Sequence, residues 1–167
     1  MVTAIDILKS VVQKTDEVLR DKFGKDISFI RFESGYTATV VNAITNLMQG
    51  SYDPYPLIAV FTEGLKESYT DYLVEFTAPK IIIVVRAVPN LTEEQRIETN
   101  FRDFLYPIFE EFEKQLQNIH HGYELKLKRS DVPHYSESAN NANTFNDIVD
   151  GIIIKPFTMK VLNDIEC

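Results

Sequence analysis

The chain has 167 residues, with 17 Lys plus Arg against 25 Asp plus Glu for a net charge of −8, and 44% of it is hydrophobic. That length suits one domain, 1–167, burying roughly 68–70% of its unfolded surface, and the apolar fraction excludes collagen-like, mucin-like and disordered chains. The acidic surplus argues against a protein built to neutralise nucleic-acid phosphates. A single cysteine, Cys167, permits no internal disulfide and points to a reducing, intracellular compartment. Asp6 and Lys9 interrupt the N-terminal apolar residues, which is unlike a signal peptide. The longest apolar run, Ile81 to Val85, is far short of the ~20 residues of a spanning helix.

The first element predicted is a helix over residues 4–23, with Ile5, Leu8, Val12, Thr15 and Leu19 on one stripe, Thr3 as cap and Gly24 as stop. Residues 27–32 are β-branched and aromatic and suit a strand. Val40, Val41, Ile44, Leu47 and Met48 return to helical spacing before Gly50. After the turn-forming SYDPYP, residues 57–62 read as a strand and residues 63–71 as a polar loop. Residues 72–88 are strand-rich, with Pro79 marking a bend and Ile81 to Val85 apolar enough to be covered on both faces.

Thr92 and Gln95 form a capping box that opens a long helix, whose predicted stripe is Ile97, Phe101, Phe104, Leu105, Ile108, Phe112, Leu116 and Ile119. Pro107 removes a donor to the Asp103 carbonyl and predicts a kink. Phe101, Phe104, Phe109 and Phe112 ring much of this helix, so a deep core or a subunit contact must cover it. Tyr123, Leu125 and Leu127 alternate with charged residues as in a half-wet strand, and residues 152–161 read as a last strand in which Pro156 argues for an edge or bulge. Between them, residues 136–146 form a polar loop. The order is αβαββαββ: an α+β fold, mainly antiparallel, with its helices packed on one face of the sheet.

Phosphate loops, dinucleotide fingerprints, HExxH, GxSxG and CxxC patterns do not occur. His120, His121 and His134 are the histidines; adjacent helical residues point about 100° apart and do not share a metal readily, so no metal site is expected. Asp147, Asp150, Asp164 and Glu166 supply carboxylates near the C-terminus, read as turn formers rather than an acid/base pair. Lys126, Lys128 and Arg129 form the local basic patch, without the interleaved aromatics that would suggest nucleic-acid binding. No catalytic residue and no cofactor is assigned.

Five segments carry a resemblance: residues 55–61 (YPLIAVF), 81–85 (IIIVV), Glu94-Gln95-Arg96, 104–112 (FLYPIFEEF) and 148–154 (IVDGIII). In these the chain resembles small prophage-encoded proteins of tailed bacteriophages, and among them the tail terminator or tail-completion type of head-to-tail joining protein. The region 123–150 departs from that pattern. The resemblance implies a non-enzymatic subunit that closes into a ring, commonly a hexamer, on the tail tube and later meets a head-completion protein. Its expected places are the host cytoplasm during assembly and then the virion tail or neck. No membrane or sequence-specific nucleic-acid partner is implied. The polar loops are the expected partner contacts, through Glu63, Glu67, Tyr69, Asp71, Ser136, Asn140, Asn143 and Phe145. The alternative is a small ligand-binding module or a hydrolase of a prophage genome, which would require a closed apolar cavity or a cleft joining His134 to an aspartate.

Overall fold

Two strands that are apolar at almost every position, β2 (Leu57–Phe61) and β5 (Lys80–Arg86), must be covered on both faces, and the fold is arranged around that need. The computed structural model of the protein describes residues 2–50, 52–78, 80–137 and 148–163. It is an α+β fold in which β2 and β5 lie inside a five-stranded sheet of order β1-β2-β5-β7-β6. The other members are β1 (Arg31–Gly35), β7 (Val149–Ile154) and β6 (Arg129–Val132). Only β1 and β2 are parallel; the remaining neighbours are antiparallel. A second, antiparallel sheet has the order β3 (Lys66–Tyr69), β4 (Leu73–Ala78), β8 (Phe157–Leu162).

On one face of the large sheet, Ile58, Val60, Ile81, Ile83, Ile152 and Ile154 pack against α1 (Ala4–Lys22), the helical segment 97–119 and the inner face of the small sheet. On the other, Leu57, Ala59, Phe61, Ile82 and Val84 meet Val40 and Ile44 of α2 (Thr37–Gln49), with Tyr135 and Val149. The expectation that all helices share one face is therefore corrected: a two-faced apolar strand needs cover on each side, and α2 supplies the second. Gly151 makes that packing close, because a Cβ there would lie 2.9 Å from Val84 Cγ1 and 3.1 Å from the Ile83 carbonyl oxygen.

Several predicted boundaries move, each for a hydrogen-bonding reason. The first helix starts at a reciprocal box between Thr3 and Asp6 and ends before Gly24, whose φ of 61° is left-handed. The strand expected over 27–32 begins only at Arg31, because the Phe29 and Ile30 N–H groups donate to Asp16 Oδ1, both at 2.8 Å. Residues 63–71 are not simply a loop; they contain β3, which pairs with β4. No strand forms over 123–127, since the Leu125 N–H is taken by Gln117 Oε1 and the Leu127 N–H by Glu113 Oε1. The expected last strand is two, β7 and β8, which part at Lys155-Pro156 to join different sheets. Residues 72–88 divide likewise into β4 and β5; Pro79, between them, lies outside the described residues.

The long helix also departs from its expected form. A short α3 (Glu93–Arg96) leads into a π-helical stretch, Ile97–Leu105, and then α4 (Tyr106–Ile119). The Tyr106 N–H donates to the Phe101 carbonyl, five residues back, directly before Pro107. The wider turn also changes which residues face inward. Arg96, Asn100, Phe101 and Leu105 are buried, whereas Ile97 and Phe104 from the predicted stripe are 41% and 38% exposed. Phe104 stacks on Phe23 with ring centroids 5.3 Å apart.

Asp16 is 1% exposed and accepts from Phe29, Ile30 and Arg20 Nε. Burial alone pushes its carboxyl up, but the hydrogen bonds from Ile30, Phe29, Arg20 and Ser28 outweigh burial and hold it below the usual carboxylate value. The stability so gained is complete above the unfolded-state pKa of about 4 and is lost as pH falls through the lower folded value. Asp16→Asn should lower stability at neutral pH by about 1–3 kcal/mol. In urea melts at successive pH values it should also give a shallower acid loss than the parent; an identical acid profile would contradict this role for Asp16.

Candidate functional site

The carboxylates and histidines that could carry chemistry are mostly occupied by the fold. Asp150, on β7, is fully buried and accepts three hydrogen bonds: Oδ1 accepts from Arg96 NH1 at 2.8 Å and from the His134 N–H at 2.9 Å, and Oδ2 accepts from Asn100 Nδ2 at 2.6 Å. His134 does meet an aspartate, but that contact runs through its main-chain N–H, with the residue at φ 55°. The His120 Nδ1 accepts from the Lys160 N–H at 3.3 Å and the His121 N–H donates to the Lys160 carbonyl at 2.7 Å, so this pair ties the end of α4 to β8. Among the described residues, no group of three or more His, Cys, Asp or Glu side chains is placed to hold a metal ion. Asp147, Asp164 and Glu166 lie outside the described residues.

The residues expected to meet partners divide in the same way. Glu63 Oε1 accepts from the Thr37 N–H at 2.6 Å and from Thr37 Oγ1 at 2.9 Å, capping α2 from a distant turn. Those bonds, the Thr37 N–H first, hold its carboxyl below the usual range. Glu67 Oε1 accepts from the Ala4 N–H at 2.6 Å and so serves the start of α1. Tyr69 is 38% exposed beside Glu67, and burial followed by that neighbour pushes its phenol up. Asp71 sits in the exposed turn between β3 and β4, where the Thr70 N–H donates to the Leu73 carbonyl. Ser136 is buried, not a surface contact, because its Oγ accepts from the Val149 N–H. Asn140, Asn143 and Phe145 lie outside the described residues.

An open groove of about 750 Å³ lies between α1 and residues 28–32, lined by Lys9, Gln13, Glu17, Arg31 and Asp53 among others. Its lining is of mixed charge, and its one deeply buried acid, Asp16, is already committed to main-chain N–H groups. The groove runs beside β1, which is an outer strand of the large sheet; β6 is the outer strand at the opposite end. Near β6, the Arg129 guanidinium lies over Tyr106 and Phe109 at 4.3 and 4.8 Å, and Tyr106 Oη donates to Asp131 Oδ2 at 2.8 Å. The candidate site is the pair of unlike outer strands, β1 and β6. Periodicity did not locate it, because the expected strands were placed at 27–32 and 123–127 while the outer strands span 31–35 and 129–132, and strand order is not written in any one segment.

A scan against protein-family models finds no matching family, and a search of curated proteins finds no match. Among the described residues, no helix is long and apolar enough to cross a membrane.

The Asp150 cluster yields a stability prediction. Asp150→Ala removes the buried carboxylate that Arg96, Asn100 and the His134 N–H share and should cost about 3–5 kcal/mol. Replacing both partners, Arg96→Met with Asp150→Leu, should recover part of that loss in urea unfolding, since the Asn100 amide is still deprived of Asp150 Oδ2. A double variant as unstable as the sum of the singles would contradict the pairing.

Proposed function

We propose that the protein is a non-enzymatic structural subunit of a tailed bacteriophage, which closes the end of the tail tube as a ring and joins tail to head. The observation that carries this reading is that the large sheet ends in two different outer strands, β1 and β6. A ring of identical subunits needs a heterologous contact that closes by rotation, so each subunit must offer two unlike patches. The sequence likeness to tail-completion proteins points the same way. So does the net charge of −8, which would keep DNA from adhering while it passes through a ring. On this reading the partners are further copies of the chain, the tail-tube protein and a head-completion protein. The sites of action are the bacterial cytoplasm and then the virion.

Multi-angle light scattering over a concentration series, in the presence and absence of tail-tube ends, tests the proposal. Discrete closed oligomers, free or capping the tubes, are the expected result; a strict monomer that also ignores tube ends would overturn it. Binding to duplex DNA should be undetectable at moderate salt, whereas salt-sensitive micromolar binding would contradict a lining that repels phosphate.

A further inference from the structure

The five strands of the large sheet run up, up, down, up, down from β1 to β6, because the β1–β2 pair is parallel and every later pair is antiparallel. The two outer strands therefore run in opposite directions. Placing a second copy beside the first by a head-to-tail movement brings β6 of one against β1 of the next as an antiparallel pair. Each face of the sheet continues into the same face of its neighbour. Five wholly antiparallel strands would have given parallel edges instead.

Hydrogen-bond phase then selects the register. In β1, the Arg31 N–H donates to the Pro56 carbonyl and the Gly35 carbonyl accepts from the Thr62 N–H, so Arg31, Glu33 and Gly35 direct their main-chain groups at β2. Phe32 and Ser34 direct theirs outward. In β6, the Lys155 N–H donates to the Lys128 carbonyl, which turns Lys128, Ser130 and Val132 toward β7 and leaves Arg129 and Asp131 outward. The flanking positions are closed: the Ile30 N–H is held by Asp16 and the Leu127 N–H by Glu113. Each edge thus offers two residues with outward main-chain groups that no described residue pairs.

On these grounds, and resting on the ring reading above, we infer that β6 of one copy pairs antiparallel with β1 of the next, Arg129 opposite Ser34 and Asp131 opposite Phe32. The side chains agree with this phase. Arg129 and Asp131 share a face with Ile152 and Ile154, and Phe32 and Ser34 with Ile58 and Val60, which is the α1 and α4 face in both cases. On the opposite face Ser130 comes opposite Glu33, with Lys128 diagonal to it and within reach of a long side chain. Glu33 is half-buried, and burial pushes its carboxyl up against the opposing pull of Arg31. A hydroxyl and an ammonium from the next copy would complement that charge. The groove along α1 leaves room beside β1 for the incoming strand.

Disulfide trapping tests the register, in a Cys167→Ser background. Opposed residues that do not exchange main-chain hydrogen bonds bring their Cβ atoms closest, so Glu33→Cys subunits mixed with Ser130→Cys subunits should give a covalent heterodimer. Glu33→Cys mixed with Asp131→Cys should give none, because those side chains lie on opposite faces. Ser34→Pro removes one outward N–H without touching the bonds to β2 and should weaken self-association about tenfold, one hydrogen bond's worth. Oligomers seen by light scattering without the 33–130 cross-link would overturn the edge pairing and leave the ring reading standing. A chain that stays monomeric and ignores tube ends would overturn both.

Discussion

A carboxylate taken out of water must be satisfied by the protein itself, and among the described residues two are buried, Asp16 and Asp150. Each one closes a junction that hydrophobic burial cannot specify. Asp16 gathers the Phe29 and Ile30 N–H groups and fixes where β1 begins. Asp150 gathers Arg96, Asn100 and the His134 N–H, joining the wide helical stretch to β7 and fixing how the chain leaves β6. Apolar packing decides that the strands lie between helices. The two aspartates decide the position of the outer strands, and through them the register of both edges.

The same economy extends to the helix termini. Glu63 and Glu67 reach from the β2–β3 turn and from β3 to donors at the starts of α2 and α1, so the small sheet and its approach are tied to both helices. Charged residues in a polar segment are easily taken for contacts awaiting a partner. Here a free N–H at a helix start is the partner, and the carboxylate–dipole attraction is internal. Among the described residues, what remains open along the large sheet is its two outer strands, and free edges are what natural folds otherwise cover or blunt.

Much of the fold was legible in the sequence where periodicity is local. The Thr3 cap of α1, the capping box at Thr92 and Gln95, the two-faced burial of Ile81 to Val85 and the α+β class follow from spacing alone. Three of the misreadings share one cause, a distant hydrogen bond that outweighs a local pattern. Leu125 and Leu127 alternate like a strand, but α4 side chains take their N–H groups. Ile97 falls on the helical stripe, but a π-helical turn brings Arg96 and Asn100 inward in its place, where Asp150 receives them. Asp16 sits in the middle of α1 with nothing in its neighbours to announce its burial. The edges were invisible for a different reason: strand order is a property of the assembled sheet, and the parallel β1–β2 pair that sets the edge directions is written in no short segment.

Amide hydrogen exchange at the two outer strands tests the central claim most directly. In the dilute subunit, the outward N–H groups of Phe32, Ser34, Arg129 and Asp131 should exchange rapidly, while those of Arg31 and Glu33, bonded to β2, stay protected. On assembly the four outward amides should become protected together and the inward pair should not change. Outward amides that exchange as fast in the assembled ring as in the dilute subunit would contradict the account.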